Sequence, residues 1–342
     1  MVRSGLVVLT ISLLVIAGCG NADPPSVKVV PAPAGDYADV AWLSDGTMVA
    51  LVDEVGDGSD RRVVVRLRDG IATPIQVDDV PGCGQGGMRG VFALPDGRIG
   101  FTIDCSVVDP PRTPTSVRAV DATGGASEEL VRLPSGAAGG VTFNPDLSRG
   151  LYSESSLICA GIGAIEAGDV VPSDITIVAG DVAYGVSDLL IDQADTCTDY
   201  INAHRPAWSP DGATVAFFGS PGALGLTGTD RLDAPWHLYL VPANGTAAEP
   251  VVTDIAAAYS PAWSPDSASI AFSSDDFDGG GTWMYQPDDG SLRKLSDVVL
   301  RTLSWSPDGT QLAGIRSTAV TEPSEVVLLD ISQADRAPSP GR

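Results

Sequence analysis

The chain of 342 residues carries 44 Asp and Glu against 20 Lys and Arg, a formal net charge of −24 at neutral pH. That balance excludes nucleic acid and anionic lipid surfaces as partners, because phosphates are held by clustered Lys and Arg; it fits an acidic surface that keeps an exported protein soluble. Five cysteines and two histidines, His204 and His237, leave little material for a metal centre or a histidine-based catalytic constellation.

At the N-terminus, Met1-Val2-Arg3 is followed by an apolar run from Leu6 to Ile16 and then by Ala17-Gly18-Cys19. A short basic end, an apolar stretch too short to span a bilayer and small residues before a cleavage point read as a signal peptide over 1–18. The Cys directly after Ala-Gly resembles a bacterial lipobox. In that reading Cys19 is lipidated, the protein is extracytoplasmic, and the lipid is its only membrane contact. An ordinary signal with an incidental Cys is the alternative. Residues 19–25, "CGNADPP", form a tether.

From residue 26 to 332 the chain repeats itself. After a candidate strand, "SVKVVPA" at 26 to 32, come "VAWLSDGTMVAL" at 40, "VFALPDGRIGF" at 91, "VTFNPDLSRGLY" at 141, "PAWSPDGATVAF" at 206, "PAWSPDSASIAF" at 261 and "LSWSPDGTQLAG" at 303. The turn aspartates Asp45, Asp96, Asp146, Asp211, Asp266 and Asp308 stand 51, 50, 65, 55 and 42 residues apart. Ser-Pro-Asp-Gly suits a type I turn: Pro presets φ, Asp tolerates the third position and Gly closes it. The flanks are apolar and β-branched, so each copy predicts a hairpin. Further strands follow in "RRVVVRLRDG" and "IATPIQV", in "WHLYLVPANG" and "AEPVVTD", in "TWMYQPDDG" and "SLRKLSD", and in "SEVVLLDI". A four-stranded propeller blade takes about 40 to 50 residues. The expectation is therefore all-β: a six-bladed β-propeller of four-stranded antiparallel blades. The sixth set lacks a fourth strand, which the N-terminal segment supplies to leave no open edge. Residues 333–342 are expected to be a disordered tail.

The W-S-P-D-G-x-x-[IVL]-A-F copies resemble the WD40-like, or PD40, repeats of TolB-type six-bladed propellers. The resemblance covers nearly the whole exported chain, strongly in the first, fourth, fifth and sixth copies. It implies a protein-binding role in the bacterial envelope. TolB proteins usually carry an α/β domain ahead of the propeller, whereas here the repeats follow the leader closely, and no family contact residue is carried over. Trp42, Trp208, Trp263 and Trp305 recur at one repeat position and are expected to pack between blades.

Four cysteines remain, and an exported chain favours two disulfides. Three pairings are possible. Cys83 just before the second hairpin and Cys105 just after it lie at one end, which favours Cys83 with Cys105 and Cys159 with Cys197; the lack of any CxxC pair argues against a metal.

In a hairpin blade the links between blades share one face of the disc and the Ser-Pro-Asp-Gly turns the other. The insertions fall on the link face: "SVVDPPRTPT", "ESSLICAGIGAIEAGDVVPS", "DQADTCTDYINAH", "SPGALGLTGTDRLDAPW" and "DDFDGGG". Loops on a rigid scaffold carry binding residues, so this face is read as functional, with an envelope protein as partner and residues 160–173 as a binding loop. "DDFDGGG", Asp275 to Gly281, has carboxylates for a Ca²⁺ but lacks the remaining ligands, and reads as a solvated loop. No G-x-S-x-G elbow accompanies the two histidines. No catalytic residue, metal or cofactor is assigned. The alternative is a small ligand, sugar or metal in the central channel, with lyase or lactonase chemistry; polar side chains converging on that channel distinguish it.

Overall fold

The computed structural model describes residues 26–30, 36–53, 62–81, 83, 87–104, 115–133, 137–155, 160–166, 176–177, 201–221, 235–243, 248–256, 258–317 and 323–332. They form six four-stranded antiparallel sheets in a propeller arrangement. After β1 (Ser26–Val29), the first sheet holds β2 (Asp36–Trp42), β3 (Met48–Asp53), β4 (Arg62–Arg68) and β5 (Ile71–Pro74). The second holds β6 (Met88–Ala93), β7 (Ile99–Asp104), β8 (Thr115–Val120) and β9 (Glu128–Leu133). The third is β10 (Ala137–Phe143), β11 (Arg149–Ser155), β12 (Ala160–Glu166) and β13 (Thr176–Ile177). The fourth is β14 (Ile201–Trp208), β15 (Thr214–Pro221), β16 (Trp236–Pro242) and β17 (Glu249–Ile255). The fifth is β18 (Ala258–Trp263), β19 (Ile270–Ser274), β20 (Gly281–Gln286) and β21 (Ser291–Ser296). In the last, β22 (Leu303–Trp305), β23 (Gln311–Arg316) and β24 (Glu325–Asp330) are joined by β1.

The first strands of successive sheets touch in cyclic order, and β22 touches β2, so these strands form the inner wall of a ring. Closure is by the two ends of the chain: β1 pairs antiparallel with β24, Ser26 opposite Asp330 and Val29 opposite Val327. That satisfies the outer edge of β24. Five sheets are full blades with every strand three residues or longer; the third ends in the two-residue β13. Residues 160–166, expected as part of a binding loop, are instead a blade strand. β12 pairs with β11 at seven successive positions, from Arg149 opposite Glu166 to Ser155 opposite Ala160. The small residues Ala160, Gly161, Gly163 and Ala164 hid its strand character.

The repeat turn builds the same small network in the last three copies. Ser209 Oγ donates to Asp211 Oδ1 at 2.6 Å, the Ala213 amide donates to the same oxygen at 2.9 Å, and Thr214 N returns to Ser209 Oγ at 2.9 Å. Ser264 with Asp266 and Ser306 with Asp308 repeat it. Between sheets the core is apolar. Trp263 packs with Ala216 and Phe218 of the fourth sheet, and Trp305 with Ala262 and Met284 of the fifth. The Trp263 and Trp305 indoles also donate to the Ala207 and Ala262 carbonyls at 3.0 and 2.9 Å, tying each blade to the one before it.

Candidate functional site

The inner strands carry a feature that recurs as regularly as the turn. β2, β6, β10, β14 and β18 all break register with their second strands in the same part of the repeat: between Tyr37 and Asp39, Met88 and Gly90, Gly139 and Thr142, His204 and Ala207, and Tyr259 and Ala262. A bulge re-aims side chains and is common beside functional sites. Here, in five of the six repeats, it spans the place six or seven residues before the turn Asp. Six before stand Asp39, Gly90, Gly140, Arg205, Ser260 and Thr302; seven before stand Arg89, Tyr259 and Arg301, among others.

Two of these residues lie within electrostatic reach of each other from separate sheets of the ring. Asp39 lies on the first sheet and Arg205 on the fourth, and each supplies part of the other's electrostatic environment. The Asp39 carboxylate accepts the Val40 amide at 2.9 Å and the Val91 amide of the neighbouring blade at 3.0 Å. Its depth in the ring pushes its pKa up to about 6, against the lowering effect of those two amides and of Arg205. The residue nonetheless keeps part of its surface open, as a group facing a channel does. Gly90 stands beside it: a Cβ there would come within 3.2 Å of Asp39 Oδ2.

Arg205 is half-buried and holds φ 56, a left-handed conformation that side-chain-bearing residues rarely adopt. Burial draws its pKa down, opposed by Tyr259 and Asp39. Its guanidinium lies 5.6 Å from the centre of the Tyr259 ring, within cation–π range. Tyr259 in turn donates its hydroxyl to Asp275 Oδ2 at 2.6 Å. Burial, then the Asp275 hydrogen bond and charge, raise the Tyr259 pKa, while Arg301 and Arg205 lower it. A line of groups thus runs from Asp39 through Arg205 and Tyr259 to Asp275, charged at both ends and in the middle.

At the turn side the ring has a different lining. A cavity of about 350 Å³ touches four consecutive sheets, from Ser44 through Phe92 and Phe143 to Trp208, with Pro95, Pro145 and Pro210 at its rim. Phe92 and Phe143 stack at 6.2 Å. The inner strands thus carry an apolar lining near the turns and charged groups near the links between blades.

His237 is engaged in β16, where Nδ1 accepts the Asp254 amide at 3.0 Å and the ring meets Tyr239 edge-on. In the Asp275–Gly281 segment a short 3₁₀ turn, Phe277–Gly279, packs Phe277 edge-on against Trp283 at 5.1 Å. Among the described residues no group of three or more His, Cys, Asp or Glu could hold a metal ion, and no helix is long and apolar enough to cross a membrane. Cys83 is partly buried against the core between the first two sheets. Cys19, Cys105, Cys159 and Cys197 lie outside the described residues, as does the side chain of His204.

Sequence reading fixed on the turn and the tryptophans and missed Asp39, Arg205 and Tyr259. The signal was present: aligning the copies on the turn Asp puts charged, polar or glycine residues in one column of an otherwise apolar strand.

No family model matches the chain, and no curated protein matches it either. Solved structures do. A TolB from Agrobacterium tumefaciens matches with a TM-score of 0.54 at 15% identity over 86% of this chain and 90% of its own. An α-L-arabinofuranosidase of Fusarium graminearum in complex with arabinobiose gives 0.57 at 14% over 91% and 98%. An oligogalacturonate lyase in complex with manganese gives 0.50 at 18% over 90% and 79%. The likeness is one of fold: a β-propeller of antiparallel sheets.

Proposed function

We propose that this chain is an extracytoplasmic propeller of six blades, lipid-anchored through Cys19, that binds a small polar ligand at the charged mouth of its central channel. The observation that carries the reading is the line of groups on the inner strands, Arg205 over the Tyr259 ring and Tyr259 hydrogen-bonded to Asp275, with Asp39 within electrostatic reach of Arg205. Polar groups converging from separate blades are what small-ligand recognition requires, and Arg205 holds a left-handed backbone inside its inner strand. The third sheet counts as a blade because β10 occupies the inner wall and β11 and β12 pair along their full length. Cys83 with Cys105, and Cys159 with Cys197, remain the proposed disulfides: β6 and β7 bring residues 88 and 103 opposite one another, so their flanks share one end of the hairpin.

A thermal-shift screen of neutral, anionic and cationic small molecules tests the site. Compounds that raise the melting temperature of the wild type should lose that effect in Gly90→Val, whose side chain crowds Asp39. Equal shifts in both proteins would remove the ligand from the channel.

The likeness to TolB supports a second reading, an adaptor that binds an envelope protein through its link face. In-cell crosslinking followed by mass spectrometry, with Arg205→Gln and Gly90→Val beside the wild type, separates the two. One partner captured equally by all three favours the adaptor.

A further inference from the structure

Aligned on the turn Asp, the residue three places earlier is Trp42, Ala93, Phe143, Trp208, Trp263 and Trp305 in the six repeats. Four blades carry a Trp there; the second and third do not. The turn-side cavity of about 350 Å³ lies at those two blades, lined by Ala93, Phe143 and the neighbouring Phe92, with Trp208 of the fourth sheet at its far side. Trp263 and Trp305 are buried at this level of their own blades and bond the preceding inner strand through Nε1, whereas Ala93 is exposed and offers only a methyl group. The cavity is where the indole column is interrupted. Gly100 lies directly against the Phe92 ring, where a Cβ would collide with it, and Phe92 stacks with Phe143 at 6.2 Å. Two rings from neighbouring blades are thus fixed side by side, each keeping part of its surface open.

The rim of this cavity is acidic. Ser44, Pro95, Pro145 and Pro210 line it, and the next residue in each case is an exposed turn aspartate: Asp45, Asp96, Asp146 and Asp211. Hydrogen bonds led by Thr47, Ser148 and Ser209 hold the pKa values of Asp45, Asp146 and Asp211 below the usual carboxylate range, so these groups stay charged. The cations nearby are engaged. Arg98 pairs with Asp96 at 2.7 Å and Glu128 at 2.6 Å, and Arg66 and Arg68, within electrostatic reach of Asp45, line a different hollow. Arg149 donates to the Ala243 carbonyl at 3.2 Å and lies 5.9 Å from the centre of the Trp208 ring, outside the lining of the cavity. That contact is a cation already held on an aromatic ring of this layer. Aromatic faces within and carboxylates around them both favour positive charge, and the volume suits a small molecule. Independently of the charged groups near the links, we infer that the turn-side cavity of the second and third blades binds a small organic cation, an alkylated ammonium whose methyl groups meet Phe92 and Phe143 while the rim aspartates balance its charge.

The test is calorimetric titration of the exported chain with choline, benzyltrimethylammonium, trilysine and 3,3-dimethylbutanol, which has the shape of choline with carbon in place of the nitrogen. The two ammonium ions should bind and the alcohol should not. Ala93→Trp restores the indole that four blades carry and fills the cavity, so it should abolish binding in a protein that circular dichroism shows to be folded. Phe143→Leu keeps an apolar side chain without the π face and should weaken binding about fivefold; it decides the matter if Ala93→Trp does not fold. The double variant Asp146→Asn, Asp211→Asn keeps acceptors at the turns and should weaken binding by about the same factor, less so in high salt. Gly90→Val, which crowds Asp39, should leave ammonium binding unchanged, so this site and the one proposed above fail separately. The alcohol binding as tightly as choline overturns the cationic class. Equal affinity in wild type, Ala93→Trp and Phe143→Leu overturns the location, and wild-type affinity in the double variant overturns the role of the rim. No binding of either ammonium ion up to about 10 mM, whether trilysine binds or not, overturns the inference as a whole.

Discussion

Asp39 comes from the first sheet of the ring and Arg205 from the fourth, and each lies within electrostatic reach of the other. Each sits six residues before the turn Asp of its own repeat. The pairing follows from two separate facts: a bulge at the same place in five of the six inner strands, and a ring that brings the first and fourth sheets within electrostatic reach of each other.

Asp39 makes stability depend on pH in an unusual direction. Its carboxyl titrates near 6 in the folded chain and near the ordinary 3.8 when unfolded. Between these values the folded state holds a proton that the unfolded state has lost, so stability falls as pH rises through this window and levels off above it. The contribution reaches at most about 3 kcal/mol. Asp39→Asn should remove that fall, at the expense of one amide hydrogen bond, since Nδ2 cannot accept; urea unfolding at pH 4.5 and pH 7 measures both.

The turn aspartates act the other way. Asp308 accepts from Ser306 Oγ, Thr310 N and Thr310 Oγ1, and these hydrogen bonds, Ser306 first, hold its pKa low. Stability from such a group is present above its unfolded pKa and is lost as pH falls through the folded one. Asp308→Ala should cost about 1–2 kcal/mol at neutral pH through the lost hydrogen bonds, and the difference from wild type should shrink at acid pH.

The four repeat tryptophans are not equivalent. Trp263 and Trp305 donate their indole N–H to the preceding blade, whereas the buried indole nitrogens of Trp42 and Trp208 have no partner. Trp305→Phe should therefore destabilise by about 1 kcal/mol more than Trp208→Phe, because it leaves the Ala262 carbonyl without its donor. Paired chemical denaturation of the two variants decides it.

Leu147 occupies the place of the turn glycine in the third repeat and is held at φ 60. A left-handed conformation costs a side-chain-bearing residue about 1–2 kcal/mol. Leu147→Gly should raise the melting temperature, the gain being reduced by the half-buried side chain it loses.

Local chemistry written in the chain was enough for the blades. Ser-Pro-Asp-Gly turns, alternating flanks and the spacing of their aspartates lead to hairpins, to a propeller and even to β1 as the closing strand, because turn geometry and a period of two act over a few residues. Residues 160–166 escaped that reading because Ala and Gly have little strand preference of their own; their place in β12 is set by pairing with β11. The charged channel mouth escaped it for a deeper reason. A bulge is a mismatch between two strands, and the approach of Asp39 to Arg205 exists only once the first and last strands have closed the ring, so the tertiary structure alone decided which polar residues face one another.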